Sequence, residues 1–316
     1  MLTGFMQLMS FIGSAAFFLP LLVIVFWCVD TRLGARLAVL MSLGSVVNTV
    51  LKLLFHAPRP FWTDSSITGY ESRNSFGMPS GHAQNASALY GFLGFRSGRL
   101  LVWAGCAAMV VLIGVSRVYL GMHSIGQVAA GWAVGAVLVA LVLWLGPVVT
   151  PLWTRQPIGL QLALSVAVSL LCLAASWTAV RSLDGWRWPD AWATAIMDAG
   201  GSPKPVTQYD GATAAGGLCG ILAGLSWTAH RGWFETGGDL WRRLARVPAG
   251  ALGVLVIYGV GLFFGATHPV PGFVVQALLG LWVAAGAPET FVRLGLAARS
   301  TPALTRAGEE RPRVRQ

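Results

Sequence analysis

Two stretches of this chain, 118–154 and 247–288, contain no Asp, Glu, Lys or Arg, and six more, 1–29, 37–51, 74–95, 100–116, 156–180 and 211–230, are equally free of charge. A helix that crosses a bilayer needs about 20 apolar residues, so a chain made of such runs takes the membrane as its solvent. Composition agrees, with 55% hydrophobic and only 11% charged residues, roughly half the charged share of an average soluble protein. A water-soluble single domain is excluded.

The two longest runs divide. Gly121-Met122-His123-Ser124 is a polar start and Pro147 a stop, which leaves one helix near 123–146. In the last run the His268-Pro269-Val270-Pro271 turn separates two helices, because closely spaced prolines remove donors and bend the chain. The reading is an all-α polytopic membrane helix bundle of about nine transmembrane helices, at 11–29, 35–55, 80–97, 100–116, 123–146, 158–180, 211–230, 248–266 and 270–288. Residues 1–180, with six of these helices, form the expected core. Residues 181–316 add an outer loop, three further helices and a basic tail.

The first basic residue is Arg32, so no positive region precedes the apolar start and no cleaved signal is expected. With the N-terminus outside, nine crossings leave the C-terminus inside. Fifteen basic residues, Arg242, Arg243, Arg246 and the tail arginines among them, then fall inside, and Lys52, Arg59, Arg73, Arg117, Arg181, Arg187 and Lys204 fall outside. The positive-inside rule is satisfied. The net charge of +10 is thereby assigned to orientation, with no nucleic-acid partner, while the tail after Arg299 is expected to be solvated and disordered. Cys28, Cys106, Cys172 and Cys219 are far apart in apolar runs and read as packing residues, neither a disulfide framework nor a zinc site. Trp186, Trp188 and Trp192 read as interfacial anchors. Glycines at four-residue spacing, Gly131/Gly135, Gly220/Gly224 and Gly261/Gly265, read as close helix contacts.

Three polar clusters interrupt the apolar pattern, and the topology puts all three on the outer side. They are Lys52-x6-Arg59-Pro60, Pro79-Ser80-Gly81-His82, and Ser116-Arg117 followed after five residues by His123. Together they supply three cations, two imidazoles and a Ser-Gly turn at a helix start, a set that suits a phosphoryl group. Arg59 and Arg117 offer forked donors, Lys52 a point charge, and the amides around Ser80 to His82 donate from a helix N-terminus where the dipole favours an anion. One histidine attacks phosphorus as the neutral ring and the other delivers a proton to the leaving oxygen. Metal sites of phosphatases gather several carboxylates, and only Asp64 and Glu71 lie near, so neither metal nor cofactor is expected. Asp64, Glu71, Arg73 and Asn74 read as solvated loop residues, and His56, His230 and His268 as interfacial or loop residues without chemistry. Asn48, one turn before Lys52, either orients that lysine or bonds another helix.

These motifs resemble the type 2 phosphatidic acid phosphatase (PAP2) superfamily, which includes glucose-6-phosphatase, lipid phosphate phosphatases, polyprenyl diphosphatases and vanadium haloperoxidases. The tripartite pattern K-x6-RP, PSGH and SR-x5-H stands here as Lys52/Arg59/Pro60, Pro79/Ser80/Gly81/His82 and Ser116/Arg117/His123. The resemblance implies that His123 is the nucleophile forming a phosphohistidine and His82 the general acid, later the base that activates water. It implies that Lys52, Arg59, Ser80, Gly81 and Arg117 hold the phosphate oxygens. Many members place an Asp four residues after the nucleophile, where this chain has Gln127. Four residues on a helix put Gln127 on the face of His123. Its amide oxygen can accept from the ring and set the tautomer, though it supplies no charge to an imidazolium. Glucose-6-phosphatase-like proteins are similar in having Gln there, and in a nine-span layout.

The expected function is therefore an integral-membrane phosphatase of a phosphomonoester or diphosphate, with a lipid phosphate or polyprenyl diphosphate slightly favoured. Its partners are a phosphorylated lipid or small-molecule substrate and membrane lipids. The alternatives are a glucose-6-phosphatase-like sugar phosphate phosphatase and a non-catalytic lipid-phosphate-binding membrane protein; a haloperoxidase holding vanadate is disfavoured by the membrane architecture. High Arg over Lys and abundant Ala suggest a bacterial inner membrane, with the site facing the periplasm or exterior.

Overall fold

Capping residues set where the helices begin. The Asp30 carboxylate accepts from the amides of Arg32 and Leu33, both at 2.9 Å, and starts a helix over Thr31–Phe55. Ser80 caps Gly81–Ser97, and Ser124 caps Ile125–Thr154 in a capping box with Gln127. The computed structural model describes residues 1–71, 73–203, 206–265 and 267–300. The Lys204 and tail assignments lie outside them.

Among the described residues there are thirteen α-helices and no strand. They are α1 (Leu2–Ile12), α2 (Ala15–Ile24, continued by a π turn to Val29), α3 (Thr31–Phe55), α4 (Pro60–Thr63), α5 (Gly81–Ser97), α6 (Leu100–Tyr119) and α7 (Ile125–Thr154). The remainder are α8 (Ile158–Arg181), α9 (Asp190–Asp198), α10 (Tyr209–Arg231), α11 (Leu240–Phe263), α12 (Pro269–Leu281, continued by a π turn to Gly286) and α13 (Ala287–Arg293).

Seven helices, among the described residues, are long and apolar enough to cross a membrane, or eight if the bent pair α1–α2 counts as one span. Among the described residues each of the nine expected stretches falls mainly on helix, but two fall short of an unbroken apolar span. The first breaks at Gly13–Ser14, where the helices meet at 48°. The third, α5, has 17 residues and buries polar Gln84 and Ser87 among small apolar neighbours. Boundaries also moved. Pro147 does not stop α7, which runs on through Pro147 and Pro151 to Thr154, and Pro248 lies inside α11, which starts eight residues before the expected 248. Proline within an apolar helix removes one donor, and the surrounding bundle tolerates it.

Small residues let the helices that carry the motifs approach backbone to backbone. A Cβ on Gly131 would lie 2.5 Å from the Ser80 carbonyl, and one on Gly135 2.5 Å from that of Gln84, so α7 runs directly against the start of α5. Likewise a Cβ on Gly220 of α10 would lie 2.0 Å from the Ala277 carbonyl of α12. The third expected pair divides: Gly261 meets the Val275 side chain, whereas Gly265 sits at φ 71° in the turn after α11 and makes no such contact. All four cysteines are free.

At the end of the bundle away from the motifs, Arg246 is 1% exposed. It donates to the carbonyls of Trp27, Thr236, Gly237 and Leu296. Read from sequence only as a charge on the inner side, it is a buried tie between α2, α11 and the segment after α13.

Candidate active site

Three helix ends and the connection between α3 and α5 bring the motif residues together. Lys52 lies in the last turn of α3, Ser80 to His82 start α5, Arg117 ends α6, and His123 stands in the short link before α7. His56, at φ 33°, closes α3 and turns the chain toward Arg59, the residue before α4.

Arg59, 3% exposed, is committed on every side. Its Nε donates to the Ser75 carbonyl at 2.8 Å, one terminal nitrogen to the Met122 carbonyl at 3.0 Å and the other to Ser75 Oγ at 3.1 Å. The same nitrogen that meets Met122 lies 3.1 Å from His123 Nε2. On the other side of that ring, Nδ1 lies 2.8 Å from the Gly77 carbonyl and 3.1 Å from Gln127 Oε1, both acceptors. A nitrogen facing two acceptors carries the proton, and one facing an Arg donor carries the lone pair. His123 is thus the Nδ1–H tautomer, with Nε2 basic. Burial first, then the positive charges of Arg59, Lys52, Arg117 and His82, push its pKa well below the ordinary histidine value and keep the ring neutral.

Gln127 makes two hydrogen bonds besides the one from His123. Its Nε2 donates to the Pro58 carbonyl at 2.7 Å, and its Oε1 also accepts from the Ser124 amide at 3.3 Å. Gly77 has to be glycine, because a Cβ there would lie 2.6 Å and 2.7 Å from the Gln127 amide atoms and 2.8 Å from the Pro58 carbonyl.

Lys52 Nζ donates to the Phe76 carbonyl. Ser80 is fully buried, its amide donates to the Gln127 carbonyl at 3.0 Å, and its hydroxyl caps α5 by accepting from the Ala83 amide at 3.5 Å. A Cβ on Gly81 would stand 3.3 Å from Asn48 Oδ1. Asn48 itself donates to Gln84 Oε1 at 2.9 Å, so it bonds a neighbouring helix. His82 keeps its Nε2 buried and without a partner, and its ring lies 3.5 Å from where a Gly13 Cβ would be.

Arg117 is 1% exposed and reaches residues that sequence reasoning set aside or missed. It donates to Ser10 Oγ, to Glu71 Oε1 at 2.7 Å and to Glu71 Oε2 at 3.3 Å. Glu71, expected to be solvated, is therefore part of the cluster. Burial works to raise its pKa, but the hydrogen bonds and charge of Arg117 and then Arg73 outweigh this and hold its carboxyl far below the usual range. Asp64 does behave as a loop residue, accepting from the Ser66 amide at 2.9 Å and hydroxyl at 2.6 Å. No group of three His, Cys, Asp or Glu among the described residues is placed to hold a metal ion.

The tryptophans of the 181–210 segment do more than line an interface. Trp186 and Trp188 meet Phe76 at 5.3 and 5.7 Å between ring centroids, and Trp188 and Trp192 meet Trp62 at 5.3 and 5.8 Å. This aromatic cluster holds Trp62 and Phe76, and with Phe76 its chain neighbours Ser75 and Gly77.

Helices long and apolar enough to cross a bilayer thus carry Arg, Lys and His at their ends around one buried imidazole, as in an integral-membrane protein with a polar centre at one end of its bundle. Residues 33–151 match the PAP2 superfamily, and residues 212–299 match the PAP2 superfamily phosphatase transmembrane extension. The chain belongs to the PAP2 superfamily of phosphatases. It is 31% identical over 144 residues to phosphatidylglycerophosphatase B of Bacillus subtilis (strain 168), an alignment covering 42% of this chain and 68% of that protein. It is 29% identical to lipid phosphate phosphatase delta of Arabidopsis thaliana and 29% identical to dolichyldiphosphatase of Saccharomyces cerevisiae. These alignments cover 46% and 40% of this chain but only 38% and 60% of those relatives. The crystal structure of a PAP2-type phosphatidylglycerolphosphate phosphatase from Bacillus subtilis is 26% identical and covers 46% of this chain and 77% of that one, with a TM-score of 0.41.

Proposed function

We propose that this protein hydrolyses a lipid phosphate or polyprenyl diphosphate through a phosphohistidine on His123. One observation carries the reading: the Nδ1 proton of His123 is held by Gly77 and Gln127, which leaves Nε2 as a lone pair beside Arg59. In the first step Nε2 attacks phosphorus, the N–P bond forms, the bond to the leaving oxygen breaks, and His82 in its protonated form gives that oxygen a proton. In the second step water attacks the same phosphorus, its proton passes to His82 and the N–P bond breaks. Arg59, Lys52 and Arg117, with the Ser80–Gly81 turn, take the charge on the phosphoryl oxygens. They are fixed before the charge develops, which is where such electrostatic stabilisation gains most. Arg59 then exchanges its hydrogen bond to Nε2 for one to phosphate.

Relatives named for phosphatidylglycerophosphate, lipid phosphate and dolichyl diphosphate support a substrate with a lipid tail. The same proposal takes residues 1–180 as the catalytic core and 181–316 as the extension, in nine crossings with the N-terminus and the site outside. In a bacterium that side is the periplasm or exterior. Purified protein in detergent, offered phosphatidate, polyprenyl diphosphate and hexose phosphate, is expected to release phosphate from one of the first two, and His123→Ala to release none. Turnover of hexose phosphate alone would refute the lipid assignment, and equal release by His123→Ala would refute the mechanism.

A further inference from the structure

A carboxylate stands among the cations of the cradle. Glu71 comes from the connection between α4 and α5. Its Oε1 accepts from Arg117 at 2.7 Å and from Ser10 Oγ at 3.2 Å. Its Oε2 accepts from Arg117 at 3.3 Å and from Arg73 at 3.0 and 3.2 Å. A carboxylate held by one guanidinium fork, a second guanidinium and a hydroxyl has the donor set that two phosphoryl oxygens would seek. Arg117 spends both terminal nitrogens on it.

The surroundings leave little choice about how a phosphoryl group gets in. Arg59, His123 and Arg117 are 3%, 3% and 1% exposed, and His82 Nε2 is buried without a partner. Something has to leave before a ligand can reach Arg117. Arg117, His82 and Ser80 sit on helix ends packed into the bundle, whereas Glu71 is on a connection and its side chain is 29% exposed. Lys52 and His82 are partly exposed too but belong to helices, so Glu71 is a group on a connection with a path to water, and Arg73, 48% exposed, can accompany it.

We propose that Glu71 is the resident anion of the cradle and that a phosphoryl group binds by exchange with it, taking over the Arg117 fork as the carboxylate withdraws. The exchange also takes away the carboxylate to which Ser10 donates. Helix α1 then loses its tie to Glu71 and keeps the Ser10–Arg117 contact and the Thr3–Tyr119 hydrogen bond of 3.0 Å, with Gly13–Ser14 as the break about which it can turn. This inference rests on the cradle being a phosphate site.

The competing role is that Glu71 positions Arg117 for substrate, and the two roles move binding in opposite directions. With a resident competitor, apparent affinity is reduced by the fraction of time the site is filled. Glu71→Gln keeps the shape and removes the charge. In full-length protein in detergent, thermal-shift titrations with inorganic phosphate and orthovanadate are expected to show about tenfold tighter binding to Glu71→Gln than to wild type. KM for the lipid phosphate should fall in parallel, without a rise in kcat. Ser10→Ala, which removes one donor to the carboxylate, should move both affinities the same way by about two- to threefold, and it carries the test if Glu71→Gln does not fold. Unchanged or weaker phosphate and vanadate binding in the folded variants would overturn the exchange. If wild type binds phosphate and Glu71→Gln binds it more tightly, but neither turns over any lipid phosphate, the hydrolase reading fails and the exchange stands. If no form binds phosphate or vanadate, both fail.

Discussion

Gln127 stands where many relatives are expected to carry Asp, and the structure gives a definite reason why its loss should harm stability more than chemistry. It makes three hydrogen bonds, to the Pro58 carbonyl at 2.7 Å, from the Ser124 amide at 3.3 Å and from His123 Nδ1 at 3.1 Å. Each is worth about 1 kcal/mol net, and a buried group left unsatisfied costs about 1–3 kcal/mol. Gln127→Ala should therefore destabilise the protein by roughly 2–4 kcal/mol, read as a lower unfolding midpoint in detergent. The reacting ring is better protected. Its Nδ1 keeps the shorter bond to the Gly77 carbonyl at 2.8 Å, so the tautomer that leaves Nε2 unprotonated survives. Losing the sole orienting partner of a catalytic His costs about 10⁴ in kcat in serine proteases, whereas here a fall of about tenfold is expected because a second acceptor remains. Initial rates of phosphate release and the midpoint, measured on the same preparation, decide the matter. A variant with a wild-type midpoint and kcat reduced about 10³-fold or more would show that Gly77 does not hold the ring.

Gly77→Ala should be worse than Gln127→Ala on both measures, since its Cβ would lie 2.8 Å from the rigid Pro58 carbonyl as well as against the Gln127 amide; rates and midpoints equal to wild type would refute this. Arg59→Lys keeps the charge but replaces a planar fork that serves Ser75, Met122 and His123; kcat/KM should drop about 10²-fold, against no change if charge alone matters. His123 has a folded pKa below its unfolded value, so the unfolded chain binds the extra proton first, and stability is lost as pH falls through about 6.5. The unfolding midpoint of His123→Asn should fall less steeply than wild type between about pH 6.5 and pH 5. Gly131→Leu should lower both the midpoint and the rate, because even a Cβ would stand 2.5 Å from the Ser80 carbonyl at the start of α5.

What was legible in the chain was whatever depends on local spacing. Uncharged runs of helical length locate the helices, Ser80 and Ser124 announce two helix starts, and Gly131/Gly135 mark a close approach. Lys52, Arg59, His82, Arg117 and His123 are conspicuous because each is polar at the end of an apolar run. Gln127 could be assigned to the face of His123 because four residues make one helical turn. The unread parts depend on groups with no side-chain signature or with distant partners. Gly77 acts through a carbonyl, which every residue has, and Ser75 largely likewise. Glu71 looked solvated because its partner Arg117 is 46 residues away, and Ser10 because α1 folds back beside the end of α6. The burial of Arg246 cannot be read from the chain because its partners are carbonyls, which leave no mark on a sequence. The kink at Gly13–Ser14 hid inside a run that hydropathy treats as continuous.

The distribution of rigid and movable parts bears on how a buried centre can turn over at all. Lys52, Ser80, His82 and Arg117 are carried by helices locked through glycine contacts and capping bonds, so the cations do not reorganise when charge appears on phosphorus, which is the condition for strong stabilisation. A centre that rigid and that buried would also be closed to substrate, unless its cover were built differently. The cover is built from short pieces: α1, joined to α2 at a bend, and the connection carrying Glu71. Their grip on Arg117 itself is polar, through Ser10 and Glu71. By contrast, the connection that carries Ser75 and Gly77 is clamped by Phe76 against Trp186 and Trp188. The chain between α4 and α5 thus has one part clamped by aromatic rings, which holds the His123 tautomer, and another whose carboxylate, Glu71, is held to the centre by ion pairs and the Ser10 hydroxyl. A ligand that carries its own negative charge supplies what Glu71 supplies, so it can open the site without disturbing the ring it is to meet.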